Sequence, residues 1–337
     1  MRIANPLKQR NAKRLVAGDT TFYQFDKVIG FWGIQNISHE IEYDVAPGKR
    51  IFASHNSDGN RDIEFELSTK AKSIICLGGS HTWGLAVDQT VRYSDLLRKR
   101  FGCGVVNMGH PSVGLDQIAL TLFEKSSAYK PDIVIIEQYP WALHRILSRY
   151  VNGFIRPSFS IDAENKLNLD PVPFLARFRF FRKIMGAFYD FKKGFSEYRA
   201  GIDVEQNYNA ILDPMFLTWK SSYYDYMYEL ADKLVAGIAN HCSNHDIELV
   251  FVLGTVNQQF AGVAPSDLVD FNLPRARFLN ILEANNVSYV DSHDTMLKEN
   301  APKDPVAFSD GHINEKGHAI MARILGDFIE KNGWLAK

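Results

Sequence analysis

From residue 73 onward the chain alternates short apolar runs with longer amphipathic stretches. The runs are Ser73-Ile-Ile-Cys-Leu77, Val105-Val-Asn107, Asp132-Ile-Val-Ile-Ile136, residues 247–253 and residues 287–290. Each is too short for a typical helix, and most are rich in β-branched residues. This is the pattern of strands buried on both faces. Between them the apolar positions recur at helical spacing, which predicts helices near 93–101, 116–125, 222–241, 275–285 and 315–331. Strand and helix in alternation imply a parallel sheet covered on both sides. The expectation is an α/β three-layer sandwich of about five parallel strands within residues 71–337.

Two stretches depart from this alternation. In residues 1–70, β-favouring pieces (Thr20-Thr-Phe-Tyr-Gln24, Glu40-Ile-Glu-Tyr43, Arg50-Ile-Phe-Ala53) alternate with turn formers such as Pro47-Gly48 and Ser57-Asp-Gly-Asn60. A small irregular β element or N-terminal cap is expected there. Residues 140–220 read as a helical insertion. Phe174, Phe178, Phe181, Met185, Phe188 and Phe195 fall near one helical face, with Arg and Lys between them. One reading packs this face on the core. The other makes it a lid or a membrane-surface helix, with peripheral membrane contact through residues 174–195.

The composition bounds the rest. A chain of 337 residues, 46% hydrophobic, holds enough apolar material for a large core. Lys and Arg number 38 against 39 Asp and Glu, so no basic excess argues for nucleic acid. Cys76, Cys103 and Cys242 lie far apart without metal-ligand spacing, and Cys76 reads as a small core residue. Such usage fits a reducing compartment. The first ten residues lack an apolar signal region, and no run approaches the roughly 20 apolar residues of a membrane-spanning helix. A cytoplasmic protein is therefore expected. No nucleotide-phosphate loop and no His-Glu-x-x-His zinc helix occur, so neither a metal nor another cofactor is expected.

Parallel α/β sheets carry their chemistry at the carboxyl ends of the strands. After the first strand stands Gly78-Gly-Ser-His-Thr-Trp-Gly84. Glycine permits a sharp turn that exposes the Ser80 hydroxyl, and a serine at a helix start meets backbone N–H groups. The same segment equally describes an N-cap serine in an ordinary turn. A nucleophilic serine needs a base. Of ten histidines, His312 in Phe308-Ser-Asp-Gly-His-Ile-Asn-Glu-Lys-Gly-His318 is best placed, at the last loop-to-helix junction. Asp310, two residues earlier, is placed to orient its imidazole. His318 reads as structural, and His81 as a pocket residue or a loop residue.

Three blocks resemble the SGNH (GDSL-like) hydrolase family in the family's own order: residues 78–84, Asn107-Met-Gly-His-Pro-Ser-Val-Gly-Leu-Asp-Gln117, and Asp310-Gly-His-Ile-Asn-Glu-Lys-Gly-His318. The resemblance covers about residues 73–330, with 140–220 as the insertion. It implies an SGNH-hydrolase, flavodoxin-like fold and a serine esterase or O-acyltransferase acting on an acyl ester, with acetyl the favoured group. It further implies Ser80 as nucleophile, His312 as base, Asp310 as its partner, and an oxyanion hole from backbone N–H groups of Ser80 and of Ser112 or Gly114. The substrate expected is a small-molecule or glycan ester. The glycan rests on His55-Asn-Ser-Asp-Gly-Asn-Arg-Asp62, which resembles a segment of bacterial SGNH-like proteins thought to act on surface polysaccharides. Its plainer reading is a turn whose Arg61–Asp62 pair braces the core.

The chain also departs from the family pattern. Gly79 replaces the first-block Asp, Ser112 stands at the second-block glycine, and Ser309 takes the usual Asp position. The family's third-block Asn is missing, because the strand runs into Glu137-Gln-Tyr-Pro-Trp141. Gln138, Tyr139 or the more distant Asn257 could donate instead, or the hole has two donors. Two alternatives follow. One is a non-catalytic SGNH-like protein binding a glycan or a partner. The other is a lipid-ester hydrolase with an aromatic lid.

Overall fold

The computed structural model describes residues 22–43, 46–65, 72–151, 153–199, 216, 222–255, 257–260, 262 and 270–336. Five strands form one parallel sheet: β1 (Ser73–Leu77), β2 (Gly104–Asn107), β3 (Ile133–Gln138), β4 (Glu248–Leu253) and β5 (Ser288–Asp291). Their order is 2-1-3-4-5. Every residue of β1 and β3 is buried, as their unbroken apolar runs require.

The pleat divides these strands between two cores. Ile75, Leu77, Val134, Ile136 and Phe251 pack on one face against helices α2 (Leu115–Lys125), α3 (Ser222–Asn244) and α4 (Leu273–Ala284). Ile74, Cys76, Ile135, Val250 and Val252 pack on the other face against α1 (Tyr93–Phe101) and α5 (Glu315–Lys331). The three-layer α/β sandwich expected from the sequence is thus present. In this order the strand direction of winding reverses between β1 and β3, which is where doubly wound folds open a crevice for ligands.

Two antiparallel hairpins precede the sheet, Tyr23–Asp26 with Gly30–Gly33 and Ser38–Glu42 with Arg50–Ser54. Phe22, Phe31 and Trp32 join the same core cluster as Trp83 and Met108. The strand Gly30–Gly33 was not apparent from the sequence, since its terminal glycines weaken the strand signal. Gly30 is needed there: its φ is +94°, and a Cβ would lie 2.7 Å from the carbonyl oxygen of Ile155.

The described residues of the stretch 140–220 correct the helical expectation in part. A 3₁₀ segment (Pro140–Leu147) leads into two small hairpins, Tyr150–Val151 with Phe154–Ile155 and Ser158–Ile161 with Leu167–Asp170. A local turn favours the second hairpin: Asp162 Oδ1 accepts from the N–H groups of Glu164 and Lys166, and Asn165 takes a left-handed φ of 60°. The helix Arg179–Arg199 follows. Phe181 and Met185 pack on Ile155, Val172 and Ala176. Phe174, Phe178 and Phe188 remain 71%, 48% and 54% exposed, because that small cluster is narrower than the aromatic stripe. The Phe195 side chain lies outside the described residues. No helix among the described residues is long and apolar enough to cross a membrane.

Candidate active site

The chain leaves β1 through Gly78 and Gly79 into a one-turn helix, Ser80–Trp83. Gly78 has no room for a side chain, since a Cβ would lie 2.2 Å from Thr82 Oγ1 and 2.5 Å from Glu137 Oε2. Glu137, near the end of β3, is buried and clamps the turn. Its Oε2 accepts from the Gly79 N–H at 2.8 Å and the Thr82 hydroxyl at 2.9 Å. Burial pushes the Glu137 carboxyl up, and these donors only partly offset it. From the other side, Asn107 at the end of β2 donates to the Thr82 carbonyl at 2.6 Å and to Ser94 Oγ at 2.8 Å.

The segment 55–62 reinforces the same turn from below. Arg61 is fully buried, lies 4.4 Å over the Trp83 ring, and donates to the carbonyls of Trp83, Gly84 and Val87. Asp62 accepts from Arg98 at 2.8 Å and from the Asn107 N–H at 2.7 Å. The bracing role expected of Arg61 and Asp62 is what the contacts display.

Ser80 does not cap the helix. Gly79 holds the N-cap position, with no side-chain capping bond. The Ser80 Oγ instead lies 2.8 Å from His312 Nε2. His312 Nδ1 lies 2.9 Å from Asp310 Oδ2, and the His312 N–H donates to Asp310 Oδ1 at 3.1 Å. With Nδ1 protonated toward the carboxylate, Nε2 is left to accept the serine proton. Burial pushes the Asp310 carboxyl up, but the side-chain bond and charge of His312 outweigh it and hold the group below its ordinary range. Gly311, at φ +90°, makes the turn between these two residues. Asn314 then caps α5 by accepting from the Gly317 N–H at 3.1 Å.

The remaining histidines of the first and last blocks, His318 and His81, separate clearly. His318 is wholly buried and accepts the Tyr93 N–H on Nδ1 at 3.2 Å, and burial lowers it to about 3. His81 is buried between two rings. It stacks on Tyr139 with centroids 3.8 Å apart and on His312 with centroids 4.8 Å apart. Its Nδ1 accepts the Ile313 N–H at 3.4 Å. Burial, with the nearby charges of His312, His318 and Arg145, pushes it well below the usual histidine range.

The second loop leaves β2 beside the serine turn, where the His110 N–H donates to the Gly78 carbonyl at 3.0 Å. Ser112 has φ +66°, the left-handed conformation that favours glycine and is uncommon for serine. Gly114 caps α2, and its N–H donates to Gln117 Oε1 at a long 3.4 Å. Behind it, Asp116 and Arg156 form a fully buried ion pair at 2.7 Å.

The candidate replacements for a third donor fall elsewhere. The Gln138 amide donates to the Tyr139 carbonyl at 2.8 Å. The Tyr139 ring covers Gly254, where a Cβ would come within 2.0 Å of it. The Asn257 side chain lies outside the described residues. Three residues of the site escaped the sequence reading: Glu137, Tyr139 as a stacking partner, and Arg145. Glu137 left a signal, because a lone carboxylate in an apolar strand must find partners. Arg145 left none, since its position depends on the path of the 3₁₀ segment. It donates through Nη1 to the Val113 carbonyl at 3.1 Å. Among the described residues no group of three His, Cys, Asp or Glu could hold a metal ion.

No protein-family model matches the chain, and no curated protein matches it in sequence. Among solved structures it is similar to the lipase/acylhydrolase from Enterococcus faecalis, at 11% identity and a TM-score of 0.42, over 77% of this chain and 96% of that one. It is similar to a member of the lipolytic protein G-D-S-L family from Veillonella parvula DSM 2008, at 13% identity and a TM-score of 0.41, over 77% and 100%. A GDSL-like lipase from Bacteroides thetaiotaomicron VPI-5482 matches at 14% identity and a TM-score of 0.39, over 81% and 94%.

Proposed function

We propose that this chain is an SGNH-type serine esterase or O-acyltransferase, with Ser80 as nucleophile, His312 as general base and Asp310 as its orienting carboxylate. One observation carries the reading: Ser80 Oγ, His312 Nε2 and Nδ1, and Asp310 Oδ2 form a continuous hydrogen-bonded chain of 2.8 and 2.9 Å. A buried serine acting only as a structural hydroxyl has no need of a histidine so oriented.

The chemistry follows from the positions. His312 Nε2 takes the Ser80 proton as the oxygen bonds to the acyl carbon, and the carbonyl electron pair moves onto oxygen. Backbone N–H groups of Ser80 and of the Ser112–Gly114 loop receive that oxyanion. Collapse breaks the bond to the leaving alcohol, which takes the proton from His312. Water, or an acceptor hydroxyl, then attacks the acyl-serine by the reverse sequence. The substrate class is a small-molecule or glycan ester carrying a short acyl group, presented to a serine at the carboxyl end of β1.

The test is hydrolysis of p-nitrophenyl acetate by the protein and by Ser80→Ala and His312→Ala. Both substitutions should abolish measurable turnover while leaving circular dichroism unchanged. Activity retained in Ser80→Ala would remove the proposal, and a folded wild type without activity would favour a binding protein.

A second reading, peripheral binding to a lipid surface, is favoured by the exposed Phe174, Phe178, Phe180, Ile184 and Phe188. Arg177 lies among them, 4.7 Å over the Phe174 ring. Aromatic and basic residues together suit an anionic membrane interface. Sedimentation with anionic phospholipid vesicles, lost in Phe174→Ser/Phe180→Ser/Phe188→Ser, would support it, and equal recovery of both proteins in the supernatant would refute it.

A further inference from the structure

We infer that Arg145 supplies a charged donor to the oxyanion formed at Ser80. The inference rests on the esterase reading and deepens it.

On the esterase reading the oxyanion forms beside the serine turn, to which the second loop is tied by the His110 N–H donating to the Gly78 carbonyl at 3.0 Å, and Arg145 reaches both segments. A Cβ on Gly79 would lie 3.7 Å from its Nη1, and a Cβ on Gly114 would lie 3.2 Å from its Cβ. Gly79 immediately precedes the serine, and Gly114 closes the loop that carries Ser112. Arg145 is also close enough to His81 for its charge to act on that ring. The fully buried arginines Arg156 and Arg61 are committed elsewhere. Arg156 pairs with Asp116, and Arg61 holds the carbonyls at the far end of the serine helix.

Two properties suit Arg145 to this task. First, its guanidinium has donors to spare. Of five N–H groups, one is engaged among the described residues, Nη1 with the Val113 carbonyl at 3.1 Å. Second, it is held in place before any substrate arrives. The Val113 carbonyl fixes one nitrogen, and the Trp141 ring lies 5.2 Å from the guanidinium carbon. Donors fixed in advance and partly withdrawn from water stabilise developing charge most effectively. Burial lowers the guanidinium to about 10, with Glu137 opposing that change, so the group stays cationic at neutral pH.

The experiment compares the wild type with Arg145→Met and Arg145→Lys on p-nitrophenyl acetate. Arg145→Met should lower kcat by about 10²–10³-fold with little change in KM, as expected for a donor used in the transition state. Added guanidinium chloride at millimolar concentration should restore part of the lost kcat to Arg145→Met and leave Ser80→Ala inactive. Arg145→Lys should fall between the two. An active wild type with unchanged kcat in Arg145→Met overturns this inference and leaves the esterase reading standing. So does a loss that guanidinium does not rescue and that comes with a lowered Tm, which would make Arg145 a brace for the Val113 loop. An inactive wild type removes the esterase reading first.

Discussion

The imidazoles of His81 and His312 lie nearly parallel, their planes 26° apart and their centroids 4.8 Å apart. His312 is therefore held from two directions. Asp310 fixes its edge through Nδ1, and His81 fixes its face. His81 is itself pinned by Tyr139 and by the Ile313 N–H. Because burial keeps His81 neutral, it places no second positive charge beside an imidazolium at His312. Replacing it by alanine should leave His312 present but loosely aimed. The expected result for His81→Ala is a fall in kcat of up to about 10²-fold, the scale of a small misplacement of a reacting group. Steady-state kinetics at saturating substrate check this, and a wild-type kcat would show that Asp310 suffices alone.

Asp310→Asn removes the charge that favours an imidazolium and disturbs the tautomer. In a deeply buried triad the loss is about 10⁴-fold in kcat. Here the Asp310 side chain is 34% exposed, and water can partly take over. A fall of more than about 10-fold but well short of 10⁴ is expected for this more solvated pair. A full 10⁴-fold loss would mean that bound substrate excludes water from the carboxylate.

The clamp from Glu137 predicts an intolerant glycine. Gly78→Ala would drive a methyl group into Thr82 Oγ1 and toward Glu137 Cβ, 2.9 Å away. Overpacking at such a site costs about 1–3 kcal/mol. Urea denaturation should report that loss of stability together with diminished esterase activity. Wild-type stability would show that the turn can open without penalty.

Acid should unfold the protein through buried histidines. Burial lowers His55 to about 4, and His81 and His110 well below the ordinary value. Both ring nitrogens of His110 are buried without a hydrogen-bond partner among the described residues. A histidine depressed in the folded state contributes stability that is fully present above about 6.5, the unfolded value, and is lost as pH falls toward the folded value. For His55 the loss is complete near 4 and amounts to roughly 3 kcal/mol. Tm should therefore drop steadily between pH 6.5 and 4.5, and His55→Gln should flatten that slope. A slope identical to wild type would place the acid sensitivity elsewhere.

The sheet was legible because its strands are local signals: the run Ile133-Val-Ile-Ile136 is too short for a typical helix, rich in β-branched residues, and wholly buried. Ser80 and His312 were legible because each follows a recognisable turn, Gly78-Gly79 and Asp310-Gly311. Whether they meet was not, since 232 residues separate them and only the strand order brings them together. The same holds for Arg145, whose place beside Gly79 depends on the path of the 3₁₀ segment after β3. The hairpins at 150–170 were hidden because their strands are two to four residues long, too short to display a clear period.

The central claim is that the Ser80 hydroxyl is activated by His312. Its most direct measurement is reaction of the folded protein with a fluorophosphonate probe, followed by mass mapping of the modified peptide. The account predicts one adduct per chain on Ser80, its formation abolished in His312→Ala and reduced in Asp310→Asn. A folded wild-type protein that stays unmodified, or one labelled equally well after loss of His312, would contradict it.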